Sequence, residues 1–374
     1  MRVALDATPL IGSRTGVGRY VAGLVPALTA LADPPEVVLT AFTVRGAGDI
    51  EHFPGTTTSA RRFPARVLQV CWGRWSLPPV EWLSGRADVF HATNFVLPPA
   101  RRAAGVVMVH DLSFVRYPDT VSAASLRYRD LVPRSVRRAE VVVTPTETTA
   151  AEVADYYGLH PERVLPTPLG VDPAWATATA PDAHWLGQRG LPERYLLFVG
   201  NREPRKNLPV LLRAHAALRA SRPDVPPLVL AGPPGWGAGG AGPGATGDAT
   251  DAVVIAGYLS DDDLPRVVAG AACLALPSRC EGFGLPALEA LACGMPVVVS
   301  DLPVLREVTG GLASYVPVGD TDALAGALAD ALADDGGGGR GLAARAARRR
   351  WAAGWTWDRC AQATRAAYVQ AVAG

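Results

Sequence analysis

Arg205 and Lys206 stand side by side in the run Phe198-Val199-Gly200-Asn201-Arg202-Glu203-Pro204-Arg205-Lys206-Asn207-Leu208. A strand pattern ends there, a turn follows and a helix pattern begins. Positive charge is unfavourable beside the positive end of a helix dipole, and a bound anion reverses the sign of that argument. A forked guanidinium next to a compact ammonium suits a diphosphate. Lys206 is also the only lysine in the chain, every other residue among the 36 Lys and Arg being arginine.

A second run, Ser278-Arg279-Cys280-Glu281-Gly282-Phe283-Gly284-Leu285-Pro286-Ala287-Leu288-Glu289, again joins a strand to a helix. Pro286 reads as the first helical residue and Gly294 as the stop. Gly282 and Gly284 keep the loop small, so that backbone N–H groups can face a ligand. Glu281 with those donors suits sugar hydroxyls, and Glu289, one turn further in, suits a ribose diol.

Near the N-terminus, a strand ends at Asp6–Thr8 and a helix begins at Gly16-Val17-Gly18-Arg19-Tyr20. These glycines let backbone approach a phosphate at a helix start. The run is not a full dinucleotide fingerprint, because Val21 stands where the third glycine belongs. His91 and His110 each close a strand pattern and are candidates for chemistry; His52, His160, His184 and His215 read as structural. Asp261-Asp262-Asp263 and Asp320-Thr321-Asp322 contain a D-x-D spacing that can hold a divalent ion, but both precede apolar helix patterns and read as helix caps, so no metal is expected. Arg61–Trp82 mixes arginine with Trp72, Trp75 and Trp82; it reads as an amphipathic helix plus loop, with an acceptor or membrane surface as the alternative.

Two series of elements must position these residues. Val3–Ala7, Val37–Phe42, Asp88–His91, Gly105–His110 and Glu140–Thr144 are short apolar runs separated by helix patterns such as Gly18–Leu31 and Ser122–Arg138. The pattern restarts with Tyr195–Val199, Pro227–Ala231, Val253–Ala256, Cys273–Leu276 and Val297–Ser300. Helices are expected at Asn207–Ser221, Asp261–Ala269, Pro286–Ala292 and Thr321–Ala333, then in an Arg-rich stretch ending at Arg350 and over Asp358–Val372, with Thr356 as the N-cap of the last. Strands apolar on both faces, alternating with helices, predict two doubly wound α/β domains. The break falls in the aperiodic stretch Pro173–Arg189. Pro233–Thr250 reads as a mobile glycine-rich loop, and Gly336–Gly339 as a spacer.

Composition closes off other classes. The chain has 374 residues, a length that suggests about two domains. Lys+Arg 36 against Asp+Glu 35 leaves +1, so no basic surface points to nucleic acid. With 49% hydrophobic and 19% charged residues the chain is not disordered. Five cysteines without a C-x-x-C pair argue against a disulfide framework or a zinc site and for a reducing compartment. Asp6 interrupts the N-terminal apolar run too early for a signal peptide, and Pro and Gly break the uncharged runs, so a soluble cytoplasmic protein is expected.

The residues resemble the family-4 retaining glycosyltransferases of the GT-B fold. The resemblance rests on Gly16-Val17-Gly18-Arg19-Tyr20, Val109-His110-Asp111-Leu112-Ser113-Phe114, Glu203-Pro204-Arg205-Lys206-Asn207, Gly257-Tyr258-Leu259-Ser260, and the E-x7-E spacing of Glu281 and Glu289. It implies two Rossmann-like domains facing a central cleft. Residues 1–180 would bind acceptor, residues 181–355 would bind donor, and a C-terminal helix, 356–374, would return to the first domain. It further implies that Arg205 and Lys206 hold a diphosphate, that the base lies near Tyr258 and Leu259, and that Glu289 binds ribose. Glu281, with Gly282, Phe283, Gly284 and Leu285, would hold the donor sugar; Gly16 and Gly18 would meet the phosphates and His110 the sugar. The expected co-substrate is a GDP- or UDP-linked sugar, with GDP-mannose first, and no resident cofactor. The expected acceptor is a saccharide, a lipid-linked sugar or a small molecule, with peripheral membrane contact at the inner face. Asn201, Arg202 and Cys280 depart from the family pattern and bear on donor preference. A nucleotide-sugar 2-epimerase of the same fold and a non-catalytic nucleotide-sugar-binding subunit are the alternatives.

Overall fold

In the computed structural model, described over residues 1–12, 14–43, 50–236, 252–333 and 339–374, the chain divides into two compact units. The first comprises Met1–Arg116, Ala123–Gly170 and Trp355–Gly374; the second comprises Tyr117–Ser122 and Val171–Gly354. Most of the expected glycine-rich loop, from residue 237 on, lies outside the described residues, as does the spacer apart from Gly339.

The first unit is built on a parallel sheet of β1 (Arg2–Asp6), β2 (Glu36–Thr43), β3 (Thr56–Arg62), β4 (Val89–Ala92), β5 (Ala104–Met108), β6 (Val141–Thr144) and β7 (Val164–Pro166), in the order β3-β2-β1-β4-β5-β6-β7. Val3, Leu5, Val37, Leu39, Val89, Val106 and Val107 are wholly buried, as strands covered on both faces require. Each such side chain contributes about 1.5–3 kcal/mol of transfer free energy. Helices Gly16–Thr29 and Trp357–Ala373 pack on each other, and Arg365 pairs with Asp33. Thr356 caps the second of these, its hydroxyl accepting from Arg359 N at 3.2 Å.

The second unit is built on β8 (Leu196–Val199), β9 (Leu228–Ala231), β10 (Val253–Gly257), β11 (Cys273–Leu276), β12 (Val297–Ser300) and β13 (Ser314–Val316), all parallel and ordered β10-β9-β8-β11-β12-β13. Its boundary falls at Gly170, ten residues before the expected one. The aperiodic stretch belongs to the second unit and forms helices Pro173–Thr177 and Ala183–Gln188, capped by the carboxylates of Asp172 and Asp182. Trp175 is buried there, and its carbonyl accepts from the Cys293 thiol at 3.3 Å. The helix expected over Ser122–Arg138 is broken into Ala123–Leu126 and Tyr128–Arg138. Among the described residues no helix is long and apolar enough to cross a membrane.

His91, a candidate for chemistry from its place at a strand end, is instead locked in the first core. Its ring is fully buried, with Nδ1 at 2.7 Å from the Tyr368 hydroxyl and Nε2 at 3.4 Å from that of Tyr20. Desolvation, with a smaller push from His110, lowers its pKa to about 3. A folded pKa below the unfolded 6.5 stabilises above 6.5, and that stability is lost as pH falls toward 3. The stability gap between wild type and His91→Asn should therefore shrink by roughly 1.4 kcal/mol per pH unit across this window, read by denaturant unfolding. Parallel curves for the two proteins would contradict it.

Candidate functional site

The order of the second sheet reverses between β8 and β11, and ligands of open α/β sheets bind beyond the strand carboxyl ends at that reversal. The two loops there carry the two richest motifs. The loop after β8 passes through the short 3-10 turn Pro204–Lys206 and left-handed Asn207 into helix Leu208–Ser221. The loop after β11 ends at Gly284 and enters helix Leu285–Ala292. Gly284 has φ +92°, and a Cβ there would lie 2.5 Å from the Leu305 side chain, so only glycine closes this turn. Neither helix carries a side-chain N-cap or an acidic residue in its first turn. A helix start without its own cap or acid suits an anion at its positive end.

The structure brings Arg205, Lys206 and Glu281 together. Lys206 Nζ donates to Glu281 Oε1 at 2.6 Å, and the Ser278 hydroxyl donates to the same oxygen at 2.6 Å. Arg205 reaches Glu281 Oε2 at 3.4 Å and Glu203 Oε1 at 2.6 Å. Arg279 N donates to the Arg205 carbonyl at 2.8 Å, tying loop to loop. The Lys206 and Glu281 side chains are only 8% and 5% exposed. Burial pushes the Glu281 carboxyl up, but the charges of Lys206 and Arg205 and the hydrogen bonds from Lys206 and Ser278 outweigh it and hold the group below the usual carboxylate range. Two cations and two carboxylates thus balance. This answers the misfit of positive charge at a helix start: carboxylates occupy the places an anion would take.

Glu289 lies one turn into helix Leu285–Ala292 and is buried. Its charge, after burial itself, helps push the Cys293 thiol to about 12. Phe283 and Leu285 are buried around the loop, as is Gly282. Tyr258 follows β10 and is 47% exposed, and Leu259 is half-buried. Pro286 is the second helical residue rather than the first, since Leu285 opens the helix. Asp320 accepts from Ala323 N at 2.9 Å, the capping role expected of it. At the helix that follows Asp261–Asp263, the N-cap Asp262 makes no side-chain cap bond, and the Ser260 hydroxyl accepts from Asp263 N at 3.1 Å.

In the first unit the sheet reverses between β1 and β4. Gly16 opens helix Gly16–Thr29 with no side-chain cap, and nothing lies within 4 Å of where its Cβ would be. Gly18 differs: a Cβ there would meet the Pro9 carbonyl at 2.7 Å, a packing reason for glycine. His110 Nε2 lies 2.9 Å from the Thr93 carbonyl, which can only accept. The proton is therefore on Nε2, and neutral His110 presents Nδ1 as an acceptor. Desolvation lowers its pKa against the opposing pull of Thr93 and Asp111, so the ring is neutral at pH 7. Rings of Tyr20 and Phe95 stand edge-on to it at 5.7 and 5.4 Å. Asp6, at the end of β1, accepts from Thr8 N at 2.9 Å and is pushed by desolvation to about 6.

Sequence reasoning missed Glu203 and Ser278 as members of the cluster. Both lie in the two motifs and contact residues of their own loop, Glu203 reaching Arg205 two positions on and Ser278 reaching Glu281 three positions on; what draws them into one cluster is the Lys206–Glu281 contact across 75 positions, which nothing local marks.

Two family models match the chain: "Glycosyltransferase Family 4" over residues 14–175 and "Glycosyl transferases group 1" over residues 193–334. The chain is 27% identical to the O-antigen chain mannosyltransferase B of Escherichia coli, over 98% of this chain and 99% of that one. It is 37% identical to the D-inositol 3-phosphate glycosyltransferase of Salinispora arenicola, over 78% of this chain and 68% of the relative. Among solved structures it is similar to sucrose-phosphate synthase from Thermosynechococcus elongatus, with a TM-score of 0.76 and 22% identity over 99% of this chain and 98% of that one. The chain belongs to the family 4, group 1 glycosyltransferases and has their GT-B architecture.

Proposed function

We propose that this glycosyltransferase moves a hexose, with mannose first among donors, from a GDP- or UDP-linked sugar to a saccharide hydroxyl, with retention of anomeric configuration and with no resident metal or cofactor. The observation that carries this reading is the pairing of half-buried Arg205 with buried Lys206 at the reversal of the second sheet, balanced by Glu203 and Glu281. The name of the Escherichia coli relative favours mannose.

The reaction follows from the cluster's chemistry. In the free protein Glu281 holds the place of an anion on Lys206 and Arg205. An arriving diphosphate joins Glu281 on those cations, and the remaining lone pairs of the carboxylate accept from the sugar hydroxyls. An ammonium carries three donors, so Lys206 can serve carboxylate and phosphate together. Glu203 remains on Arg205 and keeps its guanidinium aimed. As the bond from the anomeric carbon to the phosphate oxygen breaks, charge grows on the departing diphosphate. Arg205 and Lys206 stabilise it, with the helix-start N–H groups of Gly282–Gly284. The acceptor oxygen attacks from the face the diphosphate leaves, and the leaving phosphate oxygen takes the acceptor proton. Nδ1 of His110 accepts from a sugar hydroxyl, Tyr258 supports the base, and Glu289 holds the ribose. Gly16 leaves room for phosphate.

A thermal-shift screen of GDP-, UDP- and dTDP-sugars should single out one donor, since a ligand of the folded state raises its stability by mass action. Product analysis with that donor should show a transferred hexose of unchanged configuration. Inverted product or a trapped covalent sugar would contradict the reading. Arg205→Gln or Lys206→Gln should lower turnover about 10²–10³-fold, as loss of an oxyanion-type contact does. Gly16→Ala should keep the wild-type melting point and lose roughly tenfold or more in kcat/KM, whereas Gly18→Ala should cost about 1–3 kcal/mol of stability through its clash. Unchanged kinetics in Gly16→Ala would remove Gly16 from the donor site.

A further inference from the structure

The first unit turns a cluster of large apolar side chains toward solvent between residues 63 and 82: Phe63, Val67, Val70, Trp75, Leu77 and Trp82 are all exposed, the two tryptophans by 60% and 57%. Helix Ala65–Arg74 is two-sided. Leu68 and Trp72 are buried inward, with Trp72 against Phe42, while Val67, Val70 and Arg74 follow one another along the outer side. The turn that follows is held firmly. Trp72 Nε1 donates to the Pro78 carbonyl at 3.0 Å, Arg138 donates to the Trp72 carbonyl and the Ser76 hydroxyl at 2.9 Å each, and Ser76 takes a left-handed φ of 52°. Trp75 and Leu77 therefore project from a fixed frame.

The charged residues of segments 63–82 and 101–102, Glu81 aside, are arginines. Arg74, Arg101 and Arg102 are exposed, and Arg101 lies 5.8 Å over the Trp82 ring. Glu81 is the only carboxylate in residues 63–82. It is turned inward, with Oε1 accepting from the backbone N–H groups of Arg101, Arg102 and Ala103 at 2.8, 2.8 and 3.1 Å. Exposed tryptophans flanked by arginine, with the segment's one carboxylate turned inward, match the boundary between lipid headgroups and acyl chains.

We propose that this face docks on an anionic lipid bilayer, its apolar side chains seated among the headgroups and Arg74, Arg101 and Arg102 against lipid phosphates. It involves no residue of the donor site, so it stands or falls apart from the donor reading. The test is flotation of the full chain, without donor, with phosphatidylcholine vesicles prepared with and without phosphatidylglycerol. The protein should float with the phosphatidylglycerol vesicles, and less so as salt rises. Trp75→Ser with Trp82→Ser should weaken partitioning about tenfold or more, while the melting point stays at the wild-type value. Arg74→Gln with Arg101→Gln should weaken it and flatten its salt dependence. No flotation with either vesicle, equal flotation with both, or wild-type flotation of both double variants would overturn the proposal. So would a dimer in light scattering that the tryptophan variant converts to monomer, which would give the face to a second copy of the chain.

Discussion

A buried ammonium cannot stand alone, and in this chain Lys206 does not. Glu281 meets it from a loop 75 positions away, Ser278 donates to the same carboxylate, and Glu203 fixes Arg205 alongside. Breaking such a pair by removing one partner leaves a charge stranded out of water, at a cost of about 3–5 kcal/mol. The balance also gives the free protein a defined waiting state: cations stay charged and aimed because carboxylates hold them until a stronger anion arrives. Arginine does not substitute simply at this point, since a compact ammonium with three donors fits a carboxylate and a phosphate at once where a planar fork does not. That is a physical reason for one lysine to stand among so many arginines.

The fold serves this balance by placing two loops next to each other. β8 and β11 are sequence-distant but adjacent in the sheet, and the crossover to β9 and β10 on one side, and to β12 and β13 on the other, opens the crevice where their loops meet. The first unit repeats the plan, with its reversal between β1 and β4. There Thr93 turns its hydroxyl to the Asp6 carbonyl at 2.7 Å, and its own carbonyl fixes the tautomer of His110. In both units the chemistry sits where the strands end, because the central strands are mostly apolar and their backbone groups are already paired within the sheet.

What could be read from the sequence follows the same logic. Central strands announced themselves as uninterrupted apolar runs, because burial on both faces leaves no polar position. The edge strands β3, β7 and β13 did not: β3 reads Thr-Thr-Thr-Ser-Ala-Arg-Arg, too polar to form a run, and β7 and β13 span three residues each, too short for one. Arg205, Lys206, Glu281 and Glu289 stood out because charged residues beside glycine at strand ends are out of place in a core. The partners of those residues were invisible, since Lys206–Glu281 and His91–Tyr368 are contacts between distant segments that only the sheet order brings together. His91 shows the converse: a strand-end position looked reactive, yet two tyrosines from helices on either side of the chain's length sealed it into packing.

The singular lysine makes the central claim unusually direct to test. Protein grown with isotope-labelled lysine carries one side-chain ammonium signal in an NMR spectrum. Titration with GDP or UDP, whichever stabilises the protein, should shift that signal saturably as the diphosphate joins Glu281 on Lys206, and Glu281→Gln should move the starting position but not abolish the shift. A signal that stays in place while the nucleotide demonstrably binds would show that Lys206 does not meet the diphosphate, and the account built on it would be wrong.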